Sequence, residues 1–280
     1  MPHFEFEECK LHYVDFDDRL EDNDAPVLLF IHGAGSSHLI WTLQLLKLKE
    51  AHRVVALDLS GHGLSDRAEK TSSIEHGYTD QVHALITYLD IDNFILVGHS
   101  MGGGIVMSYC LRDDVSPPCA IVLVGTSSDL SLRKLAKGLI IEAFEDHKPP
   151  YGIETLDEDF KTFSLAKFQD AVTKFDAKSI FRDLDICDDF NISDRVDEIK
   201  VPALVVVGDD DDIVPPGVAW ELEKALPRAD IAVIKDADHS PMVQQPEVFN
   251  RLLSKFVKWA QGDLDRRRLK GTSVIVDKKE

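Results

Sequence analysis

The sequence of 280 residues predicts a doubly wound α/β fold, in which a mostly parallel sheet has helices on both faces. The first observation is a series of short, continuous apolar runs, which are typical of strands buried on both faces of a parallel sheet. The second is the helical periodicity between these runs. Because strands and helices alternate, we expect right-handed crossover connections throughout the fold.

The strands are predicted in chain order as follows. The segment "HFEFEECKLHYVDFD" alternates apolar and polar residues on both sides of Cys9 and Lys10, which indicates an N-terminal antiparallel strand pair. The buried strands that follow have the sequences "VLLFI", "RVVAL", "NFILV", "AIVLV", "ALVVV" and "IAVI".

The helices between the strands carry recognisable start signals. In "YTDQVHALITYLDI", apolar residues recur at i, i+3, i+4 and i+7, with Thr79 placed to cap the helix and Asp80 in its first turn. Further helices are predicted to begin near Ser37, Ser100, Gly217 and Pro246.

Three parts of the chain are expected. Residues 1–126 and 199–261 form the α/β core, and residues 127–198 form an inserted helical unit, because so long a segment without a strong strand exceeds a plain connection. Residues 262–280 are a charge-rich C-terminal tail, in which "TSVIV" could add an edge strand.

Composition excludes several classes of function. A formal net charge of -19 disfavours binding to nucleic acid and to anionic membranes, which are recognised through lysine and arginine patches. The four cysteines show neither CxxC pairing nor the density of a disulfide scaffold, so we expect free thiols and no zinc site.

The start of the chain, "MPHFEFEECK", lacks the basic and then apolar residues of a signal peptide. No apolar run approaches the roughly 20 residues that span a bilayer. We therefore expect a cytoplasmic protein, and we expect it to be a monomer or homodimer.

One short motif suggests nucleophilic catalysis. The sequence "GHSMG" places Ser100 in a G-x-S-x-G pattern between a predicted strand and a predicted helix. Gly98 and Gly102 are expected because side chains there would collide where the chain doubles back. This turn would expose one hydroxyl at the carboxyl end of the sheet, where open α/β sheets bind ligands.

A serine hydroxyl needs a base, and His239 is the best candidate. It follows the last predicted core strand and precedes the final helix, which places it at the same end of the sheet. The imidazole in turn needs a carboxylate, and "GDDDDIVPP" offers four consecutive aspartates at the end of another strand.

An oxyanion hole requires two backbone donors aimed at the developing negative charge. The Met101 N–H, at the start of the helix beside Ser100, is one candidate. The Ala34 N–H, in the turn "HGAGSS" after the strand "VLLFI", is the other.

Taken together, "HGAGSS", "DLSGHGLS", "GHSMGG", "GDDDDIVPP" and "ADHSPMVQQPEVF" resemble the α/β-hydrolase superfamily, within its esterase and lactonase-like branch. The resemblance covers about residues 26 to 258. It implies the order nucleophile, acid, histidine, and its glycine-x-x-aspartate spacing from Gly208 selects Asp211 as the acid. It also implies that the insertion at 127–198 is a helical cap and that no cofactor or metal takes part.

The resemblance implies a serine hydrolase that cleaves carboxylic esters of small to medium apolar acyl groups through an acyl-enzyme. Carbon-carbon bond hydrolases of meta-cleavage products are an alternative, although "HGAGSS" and Ser240 depart from their usual pattern. Lactonases and cofactor-free perhydrolases share every motif named here. A ligand-binding receptor of the same fold is the alternative without catalysis.

Candidates for substrate binding are aromatic. Trp41 lies just beyond the turn "HGAGSS", residues 32–37, which we call the oxyanion turn. Its side chain either lines the acyl pocket or packs in the core. Phe144 and Phe163 lie in the insertion, which holds half of the fourteen phenylalanines. Most of those phenylalanines are expected to form the insertion's own small core.

Overall fold

A computed structural model describes residues 2–19, 24–67, 71, 73–131, 177–262 and 274–276. Within these residues one sheet holds nine strands. Their bounds are β1 His3–Phe6, β2 Cys9–Phe16, β3 Val27–Ile31, β4 Val54–Leu57, β5 Phe94–His99, β6 Ala120–Val124, β7 Ala203–Gly208, β8 Ala229–Ile234 and β9 Val274–Val276. They lie in the order β1-β2-β4-β3-β5-β6-β7-β8-β9.

The sheet is mostly parallel, as the sequence predicts. β1 pairs with β2 and β2 pairs with β4 in antiparallel fashion, and every other neighbouring pair of described strands is parallel. The parallel strands place their carboxyl ends at one edge of the sheet. The candidate catalytic residues of the sequence follow β5, β7 and β8 at that edge.

The described helices cover both faces of the sheet, which makes the fold doubly wound. They are α1 Thr42–Leu48, α2 Tyr78–Tyr88, α3 Met101–Cys110, α4 Ala177–Asp188, α5 Pro216–Ala225, α6 Pro241–Gln244 and α7 Pro246–Ala260. Short 3₁₀ turns occur at His38–Trp41 and Val196–Glu198.

Two hydrophobic cores follow from the alternation of side chains along the buried strands. In β3, Leu29 and Ile31 join the core beneath α2, α3, α4 and α5, while Leu28 and Phe30 join the core beneath α1, α6 and α7. All four side chains are fully buried. A strand with both faces covered must be apolar at every position, which explains the continuous apolar runs.

Two local predictions need correction. The N-terminal strand pair is antiparallel as expected, but the chain reverses at Glu7 and Glu8, ahead of Cys9, with Glu7 at a φ of 53°. Thr79 does not cap α2. The helix begins at Tyr78 with Gly77 as its N-cap, two residues earlier than predicted, and Gly77 N–H donates to Asp80 Oδ2 over 3.1 Å. The Thr79 hydroxyl instead donates to Ile74 O over 2.7 Å.

The ends of the inserted segment pack onto the core where they are described. Phe190 is 1% exposed in the core beneath α3, and its carbonyl accepts from Leu130 N–H over 3.1 Å. The three residues of β9 form the edge strand that "TSVIV" allows, parallel to β8. Among the described helices, none combines the length and apolar character needed to cross a bilayer.

Candidate active site

Ser100 occupies a strained turn between β5 and α3. Its φ of 53° and ψ of -120° lie in a region that L-residues rarely adopt. A carbon atom added to Gly98 would lie 2.3 Å from Gly102 O, and one added to Gly102 would lie 2.4 Å from Ile31 O. Both glycines are therefore needed for the close approach of backbone segments at this turn, as the sequence predicts.

His239 and Asp211 form a hydrogen-bonded pair. His239 Nδ1 lies 2.9 Å from Asp211 Oδ2 and 3.2 Å from Asp211 Oδ1. Because a carboxylate only accepts, Nδ1 carries the proton, which leaves the Nε2 lone pair available as a base. Asp211 is 2% exposed, and its Oδ1 also accepts the backbone N–H groups of Ile213 and Val214 over 2.9 Å each. These bonds fix the carboxylate toward the imidazole.

Ser100 and His239 both contact the end of β6. Ser100 N–H donates to Val124 O over 2.9 Å. The next residue, Gly125, lies against the imidazole, since a carbon added to it would be 3.2 Å from His239 Nδ1. Within the described residues the Ser100 hydroxyl has no hydrogen-bond partner, and catalytic hydrogen bonds are often loose before substrate binds.

His99, next to the serine, holds the loop that carries His239. Its Nε2 donates to His239 O over 2.8 Å, and the two rings lie 4.9 Å apart. Burial lowers the pKa of His99 to about 3, and the nearby His239 adds to this effect. His99 is therefore neutral near pH 7 and places no second positive charge beside the base.

The turn after β3 approaches Ser100 closely. A carbon added to Gly33 would lie 3.0 Å from the Ser100 Cβ. His32 holds this turn, because its Nε2 accepts from Leu59 N–H over 3.1 Å and its Nδ1 donates to Gly33 O over 2.8 Å. Burial, with His62 nearby, lowers the pKa of His32 to about 4, so this neutral tautomer persists at pH 7.

Ala34 and Met101 are placed as donors at this junction. Ala34 follows Gly33 in the turn, and Met101 begins α3 directly after Ser100. In the described residues, neither backbone N–H has an acceptor. Both groups are thus available to an oxygen atom bound at Ser100, with the positive end of α3 behind one of them.

A buried carboxylate from α4, which no sequence motif predicts, reaches the oxyanion turn. Asp183 is fully buried, and its Oδ2 accepts from Gly35 N–H over 2.9 Å. The same oxygen lies 2.6 Å from His62 Nε2, and Oδ1 accepts from the Tyr78 hydroxyl over 2.5 Å. One side chain therefore joins α4, α2, the loop after β4 and the residue that follows Ala34.

Asp183 stays ionised in this position. Burial opposes its ionisation, but His62 and the hydrogen bonds from His62, Tyr78 and Gly35 outweigh burial, so the pKa of Asp183 lies below its ordinary value. Arg182 adds a further link, because its guanidinium donates to Ser60 O and to the Tyr78 hydroxyl. No short motif marks this network, since its members are distant in sequence.

The predicted substrate-binding residues fall in two places. Trp41 is fully buried and packs on Phe30 and Phe249, with its ring edge toward His99. This position favours the core interpretation of Trp41 over pocket lining. Phe144 and Phe163 lie outside the described residues.

Comparison with known proteins places this arrangement in context. Residues 28–252 match the profile of the alpha/beta hydrolase family. A bifunctional esterase/perhydrolase from Acinetobacter calcoaceticus is 28% identical over 262 residues, which cover 84% of this chain and 92% of that protein.

Solved structures agree in fold. A thermophilic esterase superposes with a TM-score of 0.71 at 26% identity, over 92% of this chain and 97% of its own. The enol-lactonase from Burkholderia xenovorans LB400 superposes with a TM-score of 0.74 at 22% identity, over 92% of this chain and 100% of its own.

Proposed function

The chain belongs to the alpha/beta hydrolase family and is a hydrolase, and from this premise we propose that it is a serine carboxylesterase for small to medium apolar acyl groups. The observation that carries the proposal is the convergence of Ser100 with the hydrogen-bonded pair His239 and Asp211. Related proteins include an esterase/perhydrolase and a thermophilic esterase, which supports the choice of substrate class.

The first half of the proposed reaction acylates the enzyme. Ser100 Oγ attacks the ester carbonyl carbon while His239 Nε2 takes its proton, and Asp211 stabilises the resulting imidazolium. The carbonyl oxygen becomes an oxyanion held by the N–H groups of Ala34 and Met101. The tetrahedral intermediate then collapses, the bond to the alcohol oxygen breaks, and His239 gives its proton to the departing alcohol.

The second half releases the acid. Water loses a proton to His239 Nε2 and attacks the acyl carbon, and the same two N–H groups hold the second oxyanion. Collapse returns the electron pair and the proton to Ser100 Oγ. The product is a carboxylic acid, and the enzyme is restored without a cofactor.

Substrate selection is proposed to lie with the inserted segment. Phe144 and Phe163 are its candidate acyl-pocket residues on sequence grounds. Lactones and the carbon-carbon bonds of meta-cleavage products are the alternative substrates, because the same catalytic groups serve them.

Initial rates on p-nitrophenyl esters from acetate to palmitate, for wild type and Ser100→Ala, test the proposal. We expect a rate maximum at a short or medium chain length and a loss on the order of 10⁶ in kcat for the variant. Folded protein that reacts with a fluorophosphonate at Ser100 yet hydrolyses no ester would contradict an esterase. A lactone and a dienoic ring-fission product assayed in parallel would then identify the alternative chemistry.

A further inference from the structure

A second cluster of reactive side chains lies outside the residues assigned to ester hydrolysis. Nitrogen atoms of His12 and His38 and a carboxylate oxygen of Asp58 all lie within 4.8 Å of one another. His12 is in β2, Asp58 follows β4, and His38 begins the 3₁₀ turn after the oxyanion turn. We propose that His12, His38 and Asp58 form a binding site for a divalent transition-metal ion of the zinc class.

The His12 ring is prepared as a metal ligand. Its Nδ1 lies 2.9 Å from Pro2 O, and a carbonyl only accepts, so Nδ1 carries the proton. Nε2 is then a bare lone pair that is buried without a hydrogen-bond partner in the described residues. Metal-binding histidines typically donate their other ring N–H to a carbonyl or carboxylate in this way.

The Nε2 of His12, unpartnered among the described residues, also has an energetic consequence. A buried lone pair without a donor costs free energy, which an ion bound there would offset.

His38 and Asp58 have the spacing of two ligands on one ion. His38 Nδ1 lies 2.9 Å from both Asp58 oxygens. Ligand atoms about 2.0–2.1 Å from a zinc ion and about 90–109° apart are separated by roughly 2.9–3.4 Å. The proton that His38 Nδ1 now shares with Asp58 would be displaced by the ion, either to Nε2 or to solvent.

The ring arrangement agrees with this geometry. The His12 and His38 centroids are 5.1 Å apart with an interplanar angle of 71°. Two imidazoles on one tetrahedral zinc ion have centroids about 5 Å apart. Asp58 is oriented independently, because its oxygens also accept the backbone N–H groups of His38 over 2.7 Å and Leu64 over 3.0 Å.

The donor set selects the class of ion. Two imidazoles and one carboxylate suit Zn²⁺ and other first-row transition metals, whereas Ca²⁺ and Mg²⁺ prefer oxygen ligands. Three protein ligands leave a coordination position for water. The scaffold is rigid, because Asp58 N–H donates to His12 O over 2.9 Å and Ser65 holds the His12 backbone.

The test is a zinc titration of tag-free, full-length protein after treatment with EDTA, with a chromophoric chelator as competitor. We expect one equivalent of Zn²⁺ to bind and to raise the Tm. His12→Gln and His38→Gln should each weaken the affinity by more than about tenfold and abolish the Tm shift. His76→Gln, which changes an exposed histidine outside the cluster, should retain both.

Two cluster variants are used so that the result does not depend on one of them that fails to fold. Circular dichroism checks that each variant is folded. Absence of stoichiometric binding by the wild type would overturn the proposal. So would binding of equal affinity in both folded cluster variants, because the ion would then bind elsewhere. Visible absorption bands of Co²⁺ in the wild type that both variants lose would support mixed nitrogen and oxygen coordination at this site.

Discussion

Four consecutive aspartates follow β7, and in the structure only Asp211 among them bonds to His239. Its neighbours Asp210 and Asp212 are exposed. The sequence offers all four as candidate partners of His239, and only the glycine-x-x-aspartate spacing of the family resemblance distinguishes Asp211 from the other three. At the scale of the residue, the burial of Asp211 suits it to this role, since a buried carboxylate can orient the imidazole without competition from water.

We expect Asp211→Asn to lower kcat by roughly 10³- to 10⁴-fold, because the amide can hold His239 in the wrong tautomer and cannot stabilise the imidazolium. Asp212→Asn is the matched control and should leave ester hydrolysis nearly unchanged. The measurement is kcat on the best p-nitrophenyl ester. Equal losses in the two variants would remove Asp211 from the proposed mechanism.

Gly102 supports a second prediction at this scale. Gly102→Ala places a carbon atom 2.4 Å from Ile31 O, so β3 or α3 must shift. We expect the free energy of unfolding to fall by about 1–3 kcal/mol, with loss of ester hydrolysis as the oxyanion turn moves.

Gly217→Ala is the control for this substitution, because no atom lies within 4 Å of the added carbon and the residue is in α5. Its stability should stay level or rise by about 0.4–1 kcal/mol. Denaturant unfolding measures the free energy of unfolding of both variants and of the wild type. A Gly102→Ala protein as stable as wild type would show that the turn between β5 and α3 has more room than the 2.4 Å approach to Ile31 O indicates.

At the scale of the element, α4 contributes to the site although it belongs to the inserted segment 127–198. Asp183 in this helix holds Gly35 N–H, beside the candidate donor Ala34. The sequence could not predict this contact, because Asp183 and Gly35 are 148 positions apart and no sequence motif contains both residues. Contacts of this kind depend on tertiary packing, whereas a strand is specified by its local apolar run.

Asp183→Asn should lower kcat by about tenfold to a hundredfold with little change in KM, because Gly35 and the turn before it lose a charged anchor. Asp185→Asn, an exposed position in the same helix, is the control. Steady-state kinetics on a short ester separate kcat from KM. A variant that loses only stability would show that Asp183 supports the fold without positioning the oxyanion turn.

The N-terminal elements show a similar limit of sequence reasoning. The strands β3 to β8 were predictable, because each has a continuous apolar run. Cysteine spacing predicts no zinc site, but the proposed site of His12, His38 and Asp58 contains no cysteine. The pairing of β2 with β4 brings His12 beside Asp58, and His38 joins them through its hydrogen bonds to Asp58.

At the scale of the whole molecule, the stability of the fold should depend on the protonation of Asp230 in β8. Burial, with Glu223 nearby, raises the pKa of Asp230 to about 7. The unfolded chain has an aspartate pKa of about 3.9, so between these values the folded protein binds the additional proton. This contribution to stability is full below about pH 4 and is lost as the pH rises through about 7.

Asp230→Asn mimics the protonated form at every pH. We therefore expect the variant to exceed the wild-type Tm at pH 8 by roughly 2–4 °C and to match it more closely at pH 5. Asp236→Asn, at an exposed position, should shift neither value. Thermal unfolding at the two pH values is the measurement, and a Tm gap that does not change with pH would contradict the raised pKa.

The anchoring of α4 has a consequence for recombination between relatives. Phe190 and Asp183 attach the end of the 127–198 segment to the sheet and to the oxyanion turn. A chimera that exchanged the whole segment would remove both anchors together with the part that we propose to select the substrate. Crossover points should instead lie before residue 177, so that the transplanted residues join a scaffold that still carries its own α4.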